Sequence, residues 1–516
     1  MFEPFLNKAF RSFRVADGLR WLKRVWGYPD GGGLALLTDG FVFFLGITQC
    51  FYVLLVVLGG SLGTFWWVAA TFFLMTVAWG LYGLRLRSFD LRLTGESLAI
   101  VGTAIMAVMA SLVIDRPDGD DDAYLVLLGS ALDAQALPLE GLQFLGPYLW
   151  DVERYLVAGF STLTGVPLLA VYYLVAPALL ALFTVLFAAR LIRALQIRYV
   201  TAALFFLLVI MLFWGDSHRS LSNVGIARFF HGKSAVAWIA MPAMWGYWLS
   251  LRRRFQGRTL LLLLLCVPLG FSLSPSGLYV TMLGLAMLLL ARLAGVALRP
   301  GSRGMVRVGI LMGALLVVVF AAYRLGYLLI ADGVFGWQGD PQLISFEGMP
   351  LNRDLLPHVL GTTFRGWVVY PVLLFFPILL GWKPSTRGFL GYAIVSVLLV
   401  LNPLTPAWVA TAIHNTGGWR WYWVLPIVPA LLVFFDGLIL LGKRYRYGWA
   451  LPVFFIGTYL LSDGIWVFST ANHARLGWPR YHLPQPESSK TQDFGRGAPV
   501  IEIRAGRLVS PKGNLY

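Results

Sequence analysis

The chain has 516 residues, 58% of them hydrophobic and only 13% charged, with a mean hydropathy of +0.72. That excludes a soluble globular composition and points to a polytopic membrane protein. The formal charge of +16 would suit nucleic acid, but the cations sit where topology signals sit, so no nucleic-acid partner is expected.

Residues 1–40 carry Lys8, Arg11, Arg14, Arg20, Lys23 and Arg24, with Val15, Leu19, Leu22 and Trp26 at helical spacing between them. They read as a cytoplasmic amphipathic segment on an anionic membrane surface, broken by Pro29-Asp-Gly-Gly-Gly. The first apolar run begins near Phe41 with no small-residue cleavage site after it, and reads as a retained span rather than a signal peptide. The apolar runs are mostly 17 to 25 residues long, enough to cross a hydrocarbon core of roughly 30 Å as helices. Short alternating strand patterns are absent, which argues against an outer-membrane barrel.

Spans are expected at 41–60, 64–84, 97–114, 166–189, 199–214, 234–251, 258–274, 277–297, 308–330, 366–382, 388–404, 420–441 and 448–468. The fold class is thus an all-α polytopic membrane protein of about 13 transmembrane helices, with a transmembrane domain over 41–468 and a C-terminal tail over 469–516. Cys50 and Cys266 fall inside apolar spans and are expected to be inert thiols, with no disulfide framework. The tail is rich in Pro, Ser and Gly, with a short strand pair expected around Val500–Val509.

The connecting segments alternate in charge. The N-terminal region and the segments holding Arg85/Arg87/Arg92, Arg190/Arg193/Arg198, Arg252/Arg253/Arg254/Arg258, Arg299/Arg303/Arg307, Lys383/Arg387 and Lys443/Arg444/Arg446 carry 24 Lys and Arg, against eight in the short and medium segments of the other side. The positive-inside rule puts the first set and the N-terminus in the cytoplasm and the tail outside. The outward segments 115–165, 215–233, 331–365 and 402–419, together with the tail, hold all six histidines, Asn352-Arg353-Asp354, Arg365, Asn415 and the acidic run Asp115-Arg-Pro-Asp-Gly-Asp-Asp-Asp-Ala-Tyr124. Most of the chemistry-capable side chains therefore share one face.

The acidic run packs five aspartates into ten residues. Pro117 and Gly119 make a turn, and Asp118 or Asp120 can cap a helix starting near Asp121. The stripe Tyr124, Leu127, Leu128, Ala131 and Leu132 would lay that helix on the outer membrane surface. Ionised carboxylates there suit either accepting a proton from an attacking hydroxyl or holding a hard cation beside a phosphate; a solvated helix cap is the plainer alternative. An EF-hand is excluded by the missing ligand spacing and final Glu.

His231-Gly-Lys-Ser234 is no P-loop, because Ala227 stands where that motif needs glycine. Lys233 at the mouth of a span would either neutralise a lipid-linked phosphate or snorkel to the interface. In Asn415-Thr-Gly-Gly-Trp-Arg-Trp-Tyr-Trp the aromatics read as an interfacial belt, with Arg420 able to fork two phosphate oxygens. Arg324, in the outer third of the ninth span beside Tyr323, would either meet a lipid phosphate or carboxylate or snorkel to the interface, whereas Asp436 reads as the partner of Lys443 or Arg444.

An outward acidic loop followed by a surface helix resembles the GT-C superfamily of membrane glycosyltransferases. Asp121-Asp-Ala-Tyr124, Gly232-Lys-Ser-Ala235 and Trp419-Arg-Trp-Tyr-Trp-Val-Leu-Pro426 are similar to the Asp-Asp-Ala-(Phe/Tyr), Gly-Lys-Ala and Trp-Arg-x-x-Trp-x-x-Pro elements of a bacterial group of GT-C-like proteins. The likeness spans roughly 40–470, and departs in that the acidic loop follows the third span rather than the first. It implies a polyprenyl-phosphate sugar as donor, a glycan or protein acceptor, other envelope-assembly subunits as partners, and an acidic loop residue as base or metal ligand. The expected site is then Asp121 and Asp122 as catalytic carboxylates, and Lys233, Arg420 and Arg324 on the donor phosphate. Asp120, Tyr124, His231 and His414 are supporting groups, and a divalent cation such as Mg or Mn would sit on Asp120 and Asp122. Two other functions fit the same face: a polymerase or ligase acting on lipid-linked oligosaccharide, and a non-catalytic scaffold or transporter of lipid-linked glycan.

Overall fold

In a computed structural model, residues 32–85, 94–115, 124–125, 128–129, 132–133, 150–217, 219–297, 356–357, 359–382, 387–401, 415–446, 448–477, 502–504 and 507–509 are described. They form an all-α membrane protein. The helices are α1 (Gly32–Val57), α2 (Leu62–Arg85), α3 (Gly95–Val113), α4 (Val152–Thr164), α5 (Leu168–Ala194), α6 (Val200–Phe213), α7 (232–253), α8 (Gly257–Leu273), α9 (Pro275–Ala297), α10 (Phe364–Trp382), α11 (Arg387–Val400), α12 (Ile427–Arg444) and α13 (Ala450–Leu461). Five of these, α1, α2, α3, α5 and α9, are long and apolar enough to cross a membrane. Large apolar side chains such as Trp67, Phe454 and Leu461 are exposed on the helix surfaces, a pattern that requires lipid rather than water around them.

Twelve of the thirteen expected spans coincide with a helix; the ninth, 308–330 with Arg324, lies outside the described residues. The helix without an expected span is α4, which ends at Gly165 in the left-handed conformation (φ 71°). Among the described residues β structure is limited to Ile114–Asp115 with Arg475–Leu476, and Glu502–Arg504 with Arg507–Val509. The second pair is the strand pair expected in the tail.

Local sequence accounts for the irregular points. Thr94 caps α3, its hydroxyl accepting the Ser97 N–H at 3.1 Å. A π-turn at Val171–Val175 lies in α5 and another at Val236–Ala240 in α7. Pro177 and Pro242 follow them and carry no N–H for the carbonyl four residues back, so the helix widens there instead of breaking.

Contacts between helix ends define the directions of packing. α1 and α8 run parallel, with Asp39 beside Arg258 and Gly46 against Leu265, while α5 runs against both, with Arg190 reaching Asp39. α6 ends where α10 begins, with Arg365 on the Phe213 carbonyl, and α12 ends where α6 begins, Lys443 donating to the Tyr199 hydroxyl. Asp436 on α12 accepts the Arg198 backbone N–H at 3.2 Å. The largest apolar cluster runs through α5 to α9 and α12.

Two expectations are corrected here. The Trp421, Tyr422 and Trp423 side chains are buried in the core rather than forming an interfacial belt. The stretch holding them, Asn415–Val424, is a 3-10 helix set off by Pro426 from α12, and the Tyr392 hydroxyl donates to its Val424 carbonyl at 2.5 Å. Of the acidic-loop stripe, Tyr124 and Leu128 are turned inward and pack, with Leu125, against Val157, Tyr172, Tyr173 and Phe230, because α4 covers them; Leu127 and Ala131 lie outside the described residues.

Candidate functional site

The site grows from the N-terminus of α4. Gln49, buried in α1, donates from Nε2 to the Trp150 carbonyl at 2.8 Å and accepts the Val152 N–H at 3.3 Å. Trp66 on α2 donates to the Tyr155 carbonyl at 2.9 Å. Two apolar helices thereby fix the start of a short amphipathic one, and the sequence Asp151-Val-Glu-Arg154 brings three charges into the interior there.

Arg154 Nη1 lies 2.7 Å from Asp151 Oδ1 and 2.6 Å from Oδ2. Glu153 is buried as well, and neither of its oxygens accepts a hydrogen bond. Burial pushes the Glu153 carboxyl up to about 7, against the pull of Arg154. Asp151 is also pushed up to about 7 by burial, Arg154 opposing and Glu153 adding to the rise. For Arg154, burial acts against the charge but is outweighed by Asp151, Tyr124 and Glu153, so its pKa rises.

Glu153 faces the segment His231-Gly-Lys-Ser. A Cβ at Gly232 would stand 3.3 Å from Glu153 Oε2 and 2.1 Å from the Leu273 carbonyl oxygen, so only glycine lets the backbone pass. Here two of the sequence motifs meet. The Tyr124 ring has the Arg154 guanidinium 3.7 Å from its centroid, Lys233 Nζ at 5.7 Å and the His231 ring edge-on at 4.8 Å. Phe230 closes the far side of His231 at 4.4 Å. Lys233 is only 5% exposed, which rules out the snorkelling alternative.

The third motif reaches the neighbouring turn. Arg420, buried, donates from Nη1 to Ser276 Oγ in the first turn of α9. That turn is tight against α7 and α8: a Cβ at Gly277 would lie 1.9 Å from the Gly270 oxygen and 2.8 Å from Val236 Cγ2. Arg420 is thus fixed at the start of α9, and Gly232, next to Lys233, passes the Leu273 carbonyl at the end of α8. Arg219 and Arg228 join Arg420, since the Arg219 pKa is lowered first by burial and then by the Arg420 and Arg228 charges. Converging like charges of this kind raise the affinity of a site for an anion.

The structure thus brings together Tyr124, His231 and Lys233 from the sequence-based set, while Arg420 is held at Ser276 on the first turn of α9. Asp120, Asp121, Asp122, Arg324 and His414 lie outside the described residues. Among the described residues no group of three metal-ligating side chains gathers, and the cation expected on Asp120 and Asp122 falls on undescribed positions. Asp151, Glu153, Arg154, Arg219 and Arg228 were missed by sequence reasoning. Their signal was the adjacent opposite charges Glu153-Arg154 beside Asp151, and the cations Arg219 and Arg228 shortly before His231-Gly-Lys-Ser.

Arg365 belongs elsewhere. It is fully buried and donates to the carbonyls of Phe213 (2.6 Å), Tyr459 (3.1 Å), Leu460 (3.3 Å) and Ser462 (3.1 Å). It holds helix ends, not a ligand. A reciprocal amide pair, Asn223 with Asn472 at 3.0 and 2.6 Å, ties the 215–233 loop to the chain after α13.

Comparison of the chain with known protein families, with curated proteins and with solved structures finds no match.

Proposed function

We propose that the protein is a membrane glycosyltransferase, transferring a sugar from a polyprenyl-phosphate donor to an extracytoplasmic glycan or protein acceptor. The observation that carries this reading is the buried meeting of acids and cations around Tyr124: Glu153 and the Arg154 pair on one side, Lys233 and His231 on the other. Asp122 and Asp121 precede Tyr124 by two and three residues, so the chain tethers them within roughly 7 and 11 Å of its Cα. In transfer, the acceptor oxygen bonds to the anomeric carbon as the bond to the donor phosphate oxygen breaks. An aspartate of the pair takes the acceptor proton. Lys233 and Arg420, with Arg219 and Arg228 behind them, stabilise the polyprenyl-phosphate anion that leaves; in a low-dielectric cavity such fixed charge acts strongly on developing negative charge.

With a polyprenyl-phosphate sugar and purified protein, D121N and D122N are each expected to lower transfer by about a hundredfold or more while leaving expression intact. Full activity in both would overturn the acidic-base mechanism. The grouping of Arg219, Arg228 and Arg420 also suits a polymerase or ligase on lipid-linked oligosaccharide; there R420Q would be far more damaging than either aspartate variant.

The topology proposed with this function has thirteen spans, a cytoplasmic N-terminus and an extracytoplasmic tail. Its support is that α9 ends at the arginine-rich end of the bundle while α10 begins at the opposite end, beside Phe213, as the thirteen-span count expects. In a C50S background, a cysteine at exposed Leu476 is expected to react with an impermeant maleimide on intact cells, and one at exposed Gln196 only after permeabilisation. The reverse labelling would exclude a lipid-linked donor presented at the outer leaflet.

A further inference from the structure

The end of the bundle remote from Tyr124 holds a second concentration of charge. Asp39, buried on α1, accepts from the guanidinium groups of Arg190 and Arg258 and from the Tyr247 hydroxyl at 2.7 Å. Arg190 also donates to the Thr38 hydroxyl at 2.6 Å, and Arg258 lies 4.7 Å over the Trp79 ring. One carboxylate thereby locks two arginines in place. Beside them opens a cavity of about 200 Å³ whose lining adds Arg193, Arg253 and Arg254. Arg193 is committed to Glu96 at 2.7 Å. Arg253 donates to the Ala194 backbone carbonyl, and among the described residues no carboxylate pairs with Arg253 or Arg254. Five arginines against Asp39 and Glu96 leave three positive charges unbalanced around one small cavity.

The size decides what such a cavity takes. Sites for drug-sized ligands run to roughly 300–1,000 Å³, so this one fits a phosphate head and not a nucleotide or nucleotide sugar. The surroundings decide where the phosphate comes from. Phe255, 73% exposed, stands in the chain between the lining residues Arg254 and Gln256. A soluble anion has no use for an exposed phenylalanine beside the arginines, whereas an acyl chain does. We propose that the cavity binds the phosphate headgroup of an anionic membrane lipid. Arg253 and Arg254 supply the forked donors, and Asp39 positions Arg190 and Arg258 behind them. Basic pockets between transmembrane helices at the cytoplasmic side are suited to this role.

The test titrates detergent-solubilised full-length protein with dioctanoyl phosphatidylglycerol, dioctanoyl phosphatidylcholine and inorganic phosphate, following heat of binding. Saturable binding of phosphatidylglycerol is expected, weakened about tenfold or more in the R253Q/R254Q double variant and unchanged in R252Q, which removes a charge outside the lining. Arg253 and Arg254 are both exposed, so the double variant keeps its fold. Phosphatidylcholine, whose phosphate carries its own cation, is expected not to bind. Equal phosphatidylglycerol affinity in R253Q/R254Q and the unchanged protein would overturn the proposal. So would equal weakening by R252Q, which would mean diffuse attraction, or inorganic phosphate binding as tightly as the lipid, which would mean a soluble anion.

Discussion

Glu153→Gln is expected to make the protein more stable above pH 7 and, in the same preparation, to cut sugar transfer by about a hundredfold or more. The stability half follows from burial. The Glu153 carboxyl ordinarily titrates near 4.5 and is pushed up to about 7 in the folded protein. That difference corresponds to roughly 3 kcal/mol of bias toward the neutral acid. A folded-state pKa raised in this way contributes stability that is complete below about 4.5 and lost as pH rises through about 7. Glutamine keeps the shape and removes the titration, so this part of the decline vanishes. Asp151, also pushed up to about 7, still titrates in the variant and should leave a residual slope. Arg154 keeps Asp151 as its partner, so no buried cation is stranded. The activity half rests on the proposed transferase function and follows if the ionised carboxylate is needed beside Gly232 and Lys233; transfer by the unaltered protein should then rise with pH through about 7. Such a trade of stability for function is common where a buried charge is retained for chemistry. Unchanged transfer in E153Q would make Glu153 a packing residue, and an unchanged stability profile would mean that the carboxyl is not buried as described.

Much of the fold was legible because hydropathy reports burial in lipid directly. Runs such as Leu260–Cys266 and Val200–Phe213 have no other stable state in a bilayer, where backbone groups must be satisfied within the helix. Boundaries were less legible where one polar group is neutralised from afar. The first span was placed from 41, where the uninterrupted apolar run begins. α1 nonetheless begins at Gly32, because Arg190, Arg258 and Tyr247 receive the Asp39 carboxylate. The site was half legible. Lys233 and Tyr124 were singled out from separate loops, and the ring contact between them is tertiary information that no spacing carries. Asp151, Glu153 and Arg154 were not singled out in the sequence; the clamp of Gln49 and Trp66 on the start of α4, which turns them inward, is tertiary. The aromatic run 421–423 shows the converse. Tryptophan and tyrosine suit both an interface and a core, and composition does not separate the two.

Arg365 was grouped in sequence with the chemistry-bearing residues of the outward face, and its largest effect should be on folding. Helix ends leave up to four carbonyls without intrahelical partners, and three of its four acceptors, Phe213, Tyr459 and Leu460, lie in the last turns of α6 and α13. One planar cation thus satisfies two helix C-termini at once and complements both dipoles. The room for it is made by Gly464, at φ 150°, where a Cβ would stand 3.1 Å from the guanidinium carbon and 2.6 Å from Asp216 Oδ1. Asp216 takes the Thr363 hydroxyl and the Ile465 N–H, so the guanidinium also sits beside a carboxylate whose pKa burial raises. Arg365→Met would leave these carbonyls buried and unsatisfied at about 1–3 kcal/mol each, and the net loss after relaxation is expected to be about 3–5 kcal/mol. Lysine offers a point charge where a fork is needed, so R365K should recover only a minor part. Cys266, buried in α8, gives the readout: in a C50S background a thiol-reactive dye reports unfolding, and its midpoint should fall sharply in R365M. An R365M protein that unfolds at the unaltered temperature but no longer transfers sugar would return Arg365 to the site and remove it from the scaffold.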